Sequence, residues 1–82
     1  MLYIDMRTIE IYINLPEDGA ARPTQATEIR NGVFRVLPTP DYDPADEVWE
    51  FVPGTFVRCE TRDFRGKKYL LAVEKVEDAI EK

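Results

Sequence analysis

The sequence predicts a mainly β fold, a small barrel of five to six antiparallel strands with a short C-terminal helix, in one domain spanning residues 1–82. Three observations carry that expectation. Residues 9–15 alternate, with Ile9, Ile11, Ile13 and Leu15 on one face and Glu10, Tyr12 and Asn14 on the other, the period of a strand buried on one side. Asn31-Gly32 is a pair that accepts the left-handed backbone of a two-residue hairpin turn. Further short apolar runs recur between Gly and Pro turn residues, and 82 residues leave room for only one core.

Taken in order, the first strand ends at Pro16, Glu17, Asp18 and Gly19, because Pro withholds a ladder donor and Gly supplies positive φ; a loop is expected through Pro23. Across Asn31-Gly32, Arg30 would face Val33, Ile29 would face Phe34, Glu28 would face Arg35 and Thr27 would face Val36. That register buries Thr27, Ile29, Phe34 and Val36 together and leaves Glu28 and Arg35 as an opposite-charge pair outside. Residues 37–46 hold three prolines and three aspartates and read as a solvated loop. A strand is expected at 48–52, with Trp49 and Phe51 on one face, turned by Pro53-Gly54 into another at 55–61. Residues 63–68 read as a polar loop, and 69–73 as a central strand buried on both sides. Val73, Val76 and Ile80 then recur at helical spacing among acidic residues, which predicts the C-terminal helix.

The run from Asp41-Tyr42-Asp43 through Asp46-Glu47-Val48-Trp49-Glu50-Phe51-Val52-Pro53-Gly54 to Val57 resembles the stretch of SH3 domains in which an acidic loop leads to a diverging turn. That resemblance implies an SH3-like barrel. Residues 59–73 lack the paired tryptophans and the Pro-Ser-Asn-Tyr segment of the proline-peptide groove, so it does not imply Pro-rich ligands. The chain also resembles short uncharacterised bacterial proteins through Arg22-Pro23, Ala26, Gly32-Val33-Phe34-Arg35, Trp49-Glu50-Phe51-Val52-Pro53-Gly54 and the strand from Val57 to Glu60. This second resemblance implies a shared fold and no activity.

The net charge of −5 is unevenly distributed. Residues 1–57 carry ten acids and four bases, 58–68 carry two acids and five bases, and 69–82 carry four acids and two bases. An acidic whole repels polyanions, which makes nucleic acid an unfavoured partner. Asp5, Arg7 and Glu10 interrupt the apolar start before a signal or membrane-spanning run can form, so a cytoplasmic protein without membrane contact is expected. Either Met1 or Met6 would serve as the natural start. With one cysteine and no histidine, neither a disulfide nor the usual zinc sets can form, and no cofactor is expected.

Catalytic parts are missing: there is no triad, no Gly-rich phosphate loop and no histidine to activate Cys59, so an enzyme is not expected. Cys59 reads as a buried structural thiol beside Val57. The carboxylates of Asp41, Asp43, Asp46, Glu47 and Glu50 fail calcium-loop spacing, because Ala45 and Asp46 fall where a ligand and a glycine are required. The leading expectation is therefore a protein-interaction module that recognises an unknown protein partner or itself through Asp41, Tyr42, Asp43, Asp46 and Tyr12, with Tyr3 a further exposed aromatic. Two alternatives stand beside it. Arg58, Arg62, Arg65, Lys67 and Lys68, interleaved with Phe64 and Tyr69, have the composition of a single-strand nucleic-acid surface, and the acidic balance suits an inhibitor or immunity-type protein that mimics a polyanion.

Overall fold

The computed structural model describes residues 8–77. Five strands follow one another: β1 (Thr8–Leu15), β2 (Ala20–Arg30), β3 (Val33–Val36), β4 (Phe56–Phe64) and β5 (Lys67–Lys75). Each pairs antiparallel with the next, and β5 returns to β1 through a parallel bridge between Tyr12 and Leu71, so that the sheet closes into a barrel. Closure at this bridge covers part of the backbone edges that a five-stranded open sheet would leave along β1 and β5.

Alternation builds the core as expected of β1: Ile11, Ile13 and Leu15 point inward and meet Ala26, Phe34, Val36, Trp49, Val57 and Ala72. Thr24 is the buried polar side chain of this set, and its hydroxyl donates to the carbonyl of Leu37 at 2.6 Å, which satisfies it.

Several expectations are corrected. The loop expected through Pro23 is already strand: β2 begins at Ala20, and Tyr12 stands opposite Pro23. β3 partners β2 only from Ala26 onward, so Pro23 lies where β2 has a strand on one side alone, a position that tolerates a residue without an N–H. At Asn31-Gly32 the turn forms with Gly32 at φ 83°, and Arg30 does face Val33. One residue further the register slips, because Ile29 is the extra residue of a bulge, and Glu28 faces Phe34, Thr27 faces Arg35 and Ala26 faces Val36. The buried set is thus Thr24, Ala26, Phe34 and Val36, not Thr27 and Ile29, and the Glu28 and Arg35 pairing is not made. Glu28 instead accepts from the Gly32 N–H at 3.4 Å.

Residues 48–52 form no strand. They run irregularly against the barrel, burying Trp49 and resting Phe51 on the core, while the Glu50 N–H donates to the Asn14 carbonyl at 2.9 Å. Pro53-Gly54 makes the expected turn, with Gly54 at φ 94° and the Thr55 N–H donating to the Val52 carbonyl at 3.1 Å. The polar loop expected at 63–68 shrinks to Arg65-Gly66, both at positive φ (55° and 84°), a geometry that lets β4 and β5 run straight into the turn. In β5 only Ala72 is fully buried, so the strand is not covered on both faces. Val73 lies within β5, and the Val76 N–H continues the ladder by donating to the Phe56 carbonyl at 2.8 Å, so strand replaces the start of the expected helix. No helix occurs among the described residues, and Ile80 lies outside them.

Candidate functional site

Paired residues in a sheet share a face, and successive residues alternate. The core face of β1 carries Ile11 and Ile13, so its outer face carries Tyr12 and Asn14, with Pro23 and Ala21 opposite them on β2. Leu71 lies across from Tyr12, and two residues back along β5 is Tyr69, which faces Arg62 on β4. The Tyr12 and Tyr69 rings meet edge to face, with centroids 5.0 Å apart and planes at 70°.

This pair lies in an open groove of about 950 Å³ between the β1–β2 and β4–β5 hairpins. Leu15, Pro16, Gly19, Ala20 and Ala21 line the side formed by the first hairpin, while Phe64 and Tyr69 belong to the second. Asn14 and Glu50 complete it, tied by a hydrogen bond of 3.2 Å from the Asn14 amide to a Glu50 carboxylate oxygen. Phe64 remains 63% exposed, and the Arg65 guanidinium lies 5.2 Å from its ring centroid. Residues 61–68 are exposed throughout, so the distal half of the β4–β5 hairpin stands out from the barrel as an arm.

Of the expected contact residues, Tyr12 belongs to this groove, while Asp41, Tyr42, Asp43 and Asp46 do not line it. Tyr42 is half-buried, packed edge to face on Trp49 at 4.7 Å. Asp41, Asp43 and Asp46 are exposed on a succession of turns: the Asp43 carboxylate accepts from the Ala45 N–H at 2.9 Å, and its carbonyl accepts from the N–H groups of Asp46 and Glu47. Glu47 faces inward from that loop. It takes both guanidinium bonds of Arg22 and accepts from the Trp49 indole N–H at 2.9 Å, so its carboxylate serves structure. Among the described residues no three acidic or thiol groups gather as a metal site would require. Tyr3 lies outside the described residues.

The five bases of the alternative site are largely matched within their own hairpin. Arg58 contacts Glu74 at 2.7 Å and Glu60 at 3.5 Å, Arg62 contacts Glu60 at 3.0 Å, and Lys68 contacts Asp63 at 3.2 Å. The hydrogen bond from Arg58 to Glu74 raises the already high guanidinium pKa further. Lys67 and Arg65 make no ion pair among the described residues, and no ion pair there joins this hairpin to residues 41–46. Cys59 is half-buried between Arg58 and Glu60, and its loss of solvent pushes the thiol from an ordinary 9.0 up to about 11, against a smaller opposing pull from Arg58.

Sequence reasoning placed Phe64 and Tyr69 together on the basic hairpin but missed that they join Tyr12 and Glu50 in one site. A signal was available: Tyr12 and Phe64 are aromatics among polar residues on the outer faces of their strands, and large aromatics placed outward are candidates for contact. Which of them meet depends on the closure of β5 onto β1, which no local pattern encodes. Comparison with protein-family models, curated proteins and solved structures finds no match.

No helix among the described residues is long and apolar enough to cross a membrane.

Proposed function

We propose that this protein is a non-enzymatic interaction module, an SH3-like barrel that binds another polypeptide in the groove between its two long hairpins. The carrying observation is the pairing of Tyr12 with Tyr69 beside exposed Phe64, an amphipathic aromatic surface of the kind that anchors protein contacts. Glu50 and Asn14 supply polar groups at its margin, which fix the orientation of a bound chain. Asp41, Asp43 and Asp46 lie outside the groove and act on encounter rather than on contact, since exposed charges steer association more than they strengthen it. The SH3-like assignment rests on the resemblance of residues 41–57 and on ring closure of the sheet. A lone half-buried thiol and the absence of a disulfide suit a reducing compartment, and we place the protein in the cytoplasm.

The nucleic-acid reading gains nothing from the ion pairs of Arg58, Arg62 and Lys68, which already occupy charge that phosphates would need. Replacing Tyr69 with the photoreactive residue benzoylphenylalanine and irradiating cells tests the proposal. A polypeptide adduct is expected at position 69 and not at Asn31, which lies outside the groove. No polypeptide adduct at 69 would remove the groove as a contact surface.

A further inference from the structure

We propose that the occupant of the groove is a second copy of this chain, packed about a two-fold axis so that each copy seats its Phe64 in the other's groove. The inference rests on reading the groove as a polypeptide-binding surface, and it goes further by naming the partner.

The segments that flank the groove carry opposite charge, although Glu50 is the charged residue of its lining. On one, the turn between Pro16 and Gly19 holds Glu17 and Asp18, and Glu50 lies beside Asn14. On the other, residues 60–68 of the arm hold four bases (Arg62, Arg65, Lys67, Lys68) against two acids (Glu60, Asp63), a balance of +2. Arg65 and Lys67 have no carboxylate partner among the described residues, so the arm has cations to offer. No ion pair there spans the groove from one side to the other.

A two-fold interface brings each patch against its counterpart and must be self-complementary. A groove flanked by an acidic turn and a basic arm meets that requirement when the two-fold axis sets the arm of each copy against the acidic turn of the other. The apolar parts obey the same rule: Phe64 is exposed on one side of the groove and Pro16 and Ala20 on the other, so each copy would pack its Phe64 against Pro16 and Ala20 of its partner. The arm also has backbone to spare. Pairing of β4 with β3 stops at Arg58 and that of β5 with β1 is confined to the bridge at Leu71, so residues 60–64 and 67–69 are each paired with a strand on one side only. A foreign peptide would have to match both charges along one short trough; the chain itself already does.

Sedimentation equilibrium of the full chain up to roughly 500 µM tests the proposal, since a weak specific dimer falls within that range. The expected species is twice the 9.5 kDa of one chain. Phe64→Ala is expected to weaken dimerisation by roughly tenfold or more, as loss of a central aromatic anchor does, without lowering the thermal midpoint of the monomer. Two charge-reversed variants sharpen the test. One carries Glu17→Lys, Asp18→Lys and Glu50→Lys; the other carries Arg65→Glu and Lys67→Glu. Each alone is expected to stay monomeric, and an equal mixture to regain a heterodimer. A wild-type chain that stays monomeric, a dimer indifferent to Phe64→Ala, or a mixture that does not associate would each overturn the proposal. Adducts at position 69 with a different protein, from a chain that is monomeric alone, would overturn this inference and leave the interaction module standing.

Discussion

Glu47 and Glu50, three residues apart, show how position rather than type sets a carboxylate's role. Glu47 accepts the indole N–H of buried Trp49 and holds Arg22, whereas Glu50 is exposed at the groove and its carboxylate accepts from the Asn14 amide. Removing an acceptor from a buried donor costs about 1–3 kcal/mol, so Glu47→Ala should destabilise by that amount, while Glu50→Ala should stay within about 0.5 kcal/mol. Urea unfolding of the two variants checks the contrast; equal losses would contradict it. Cys59 offers a second test. With its thiol raised to about 11, the thiolate fraction near pH 8 falls about a hundredfold below that of a thiol with pKa 9.0, and alkylation of the native chain should slow accordingly. The same shift has a sign in stability. The folded state holds the Cys59 proton more tightly than the unfolded chain, so this contribution is intact below about pH 9 and is lost as pH rises toward about 11. Labelling at the rate of a free thiol, or stability that rises over that window in a comparison with Cys59→Ala, would refute the burial account.

At the scale of elements, the β2–β3 and β4–β5 turns are both set by positive φ, but their chemistry differs. Asn31-Gly32 announces itself; Arg65-Gly66 does not, because Arg65 adopts φ 55° without the side chain that usually favours it. Arg65→Asn should therefore stabilise the β4–β5 hairpin by about 0.5 kcal/mol, and thermal unfolding showing a loss would contradict this. The bulge at Ile29 makes a sharper prediction. Val36 is fully buried and Ile29 only half, so Val36→Ala should cost about 2 kcal/mol or more and Ile29→Ala clearly less; the regular register would rank them nearly equal. These cases mark how far local pattern reaches. Alternation in β1 and the turn at Gly32 were legible because they depend on near neighbours. The bulge was not, since an inserted residue reverses every face behind it without leaving a compositional trace. The expected helix failed for a related reason: Val73 and Val76 satisfy a helical period, yet β4 offers the backbone of residues 73–76 a ready ladder.

For the whole molecule, the fold's main consequence is that distant aromatics become neighbours. Tyr12 and Tyr69 are 57 positions apart in sequence and meet only because β5 closes on β1 at a single parallel bridge. Fold class was readable from short strands and turn spacing, whereas the groove was not, because it exists only once the ring is shut. The acidic loop and Tyr12, grouped together from sequence as one contact surface, belong to separate regions of the closed barrel. Since both the proposed interaction surface and the proposed self-association depend on ring closure, the decisive measurement is a nuclear Overhauser spectrum of the full chain in solution. Cross-peaks between the Tyr12 and Tyr69 rings, with contacts between residues 12 and 71, are the predicted result. Intact hairpin contacts within β1–β2 and β4–β5 but none between β1 and β5 would mean an open sheet, and the groove would not exist.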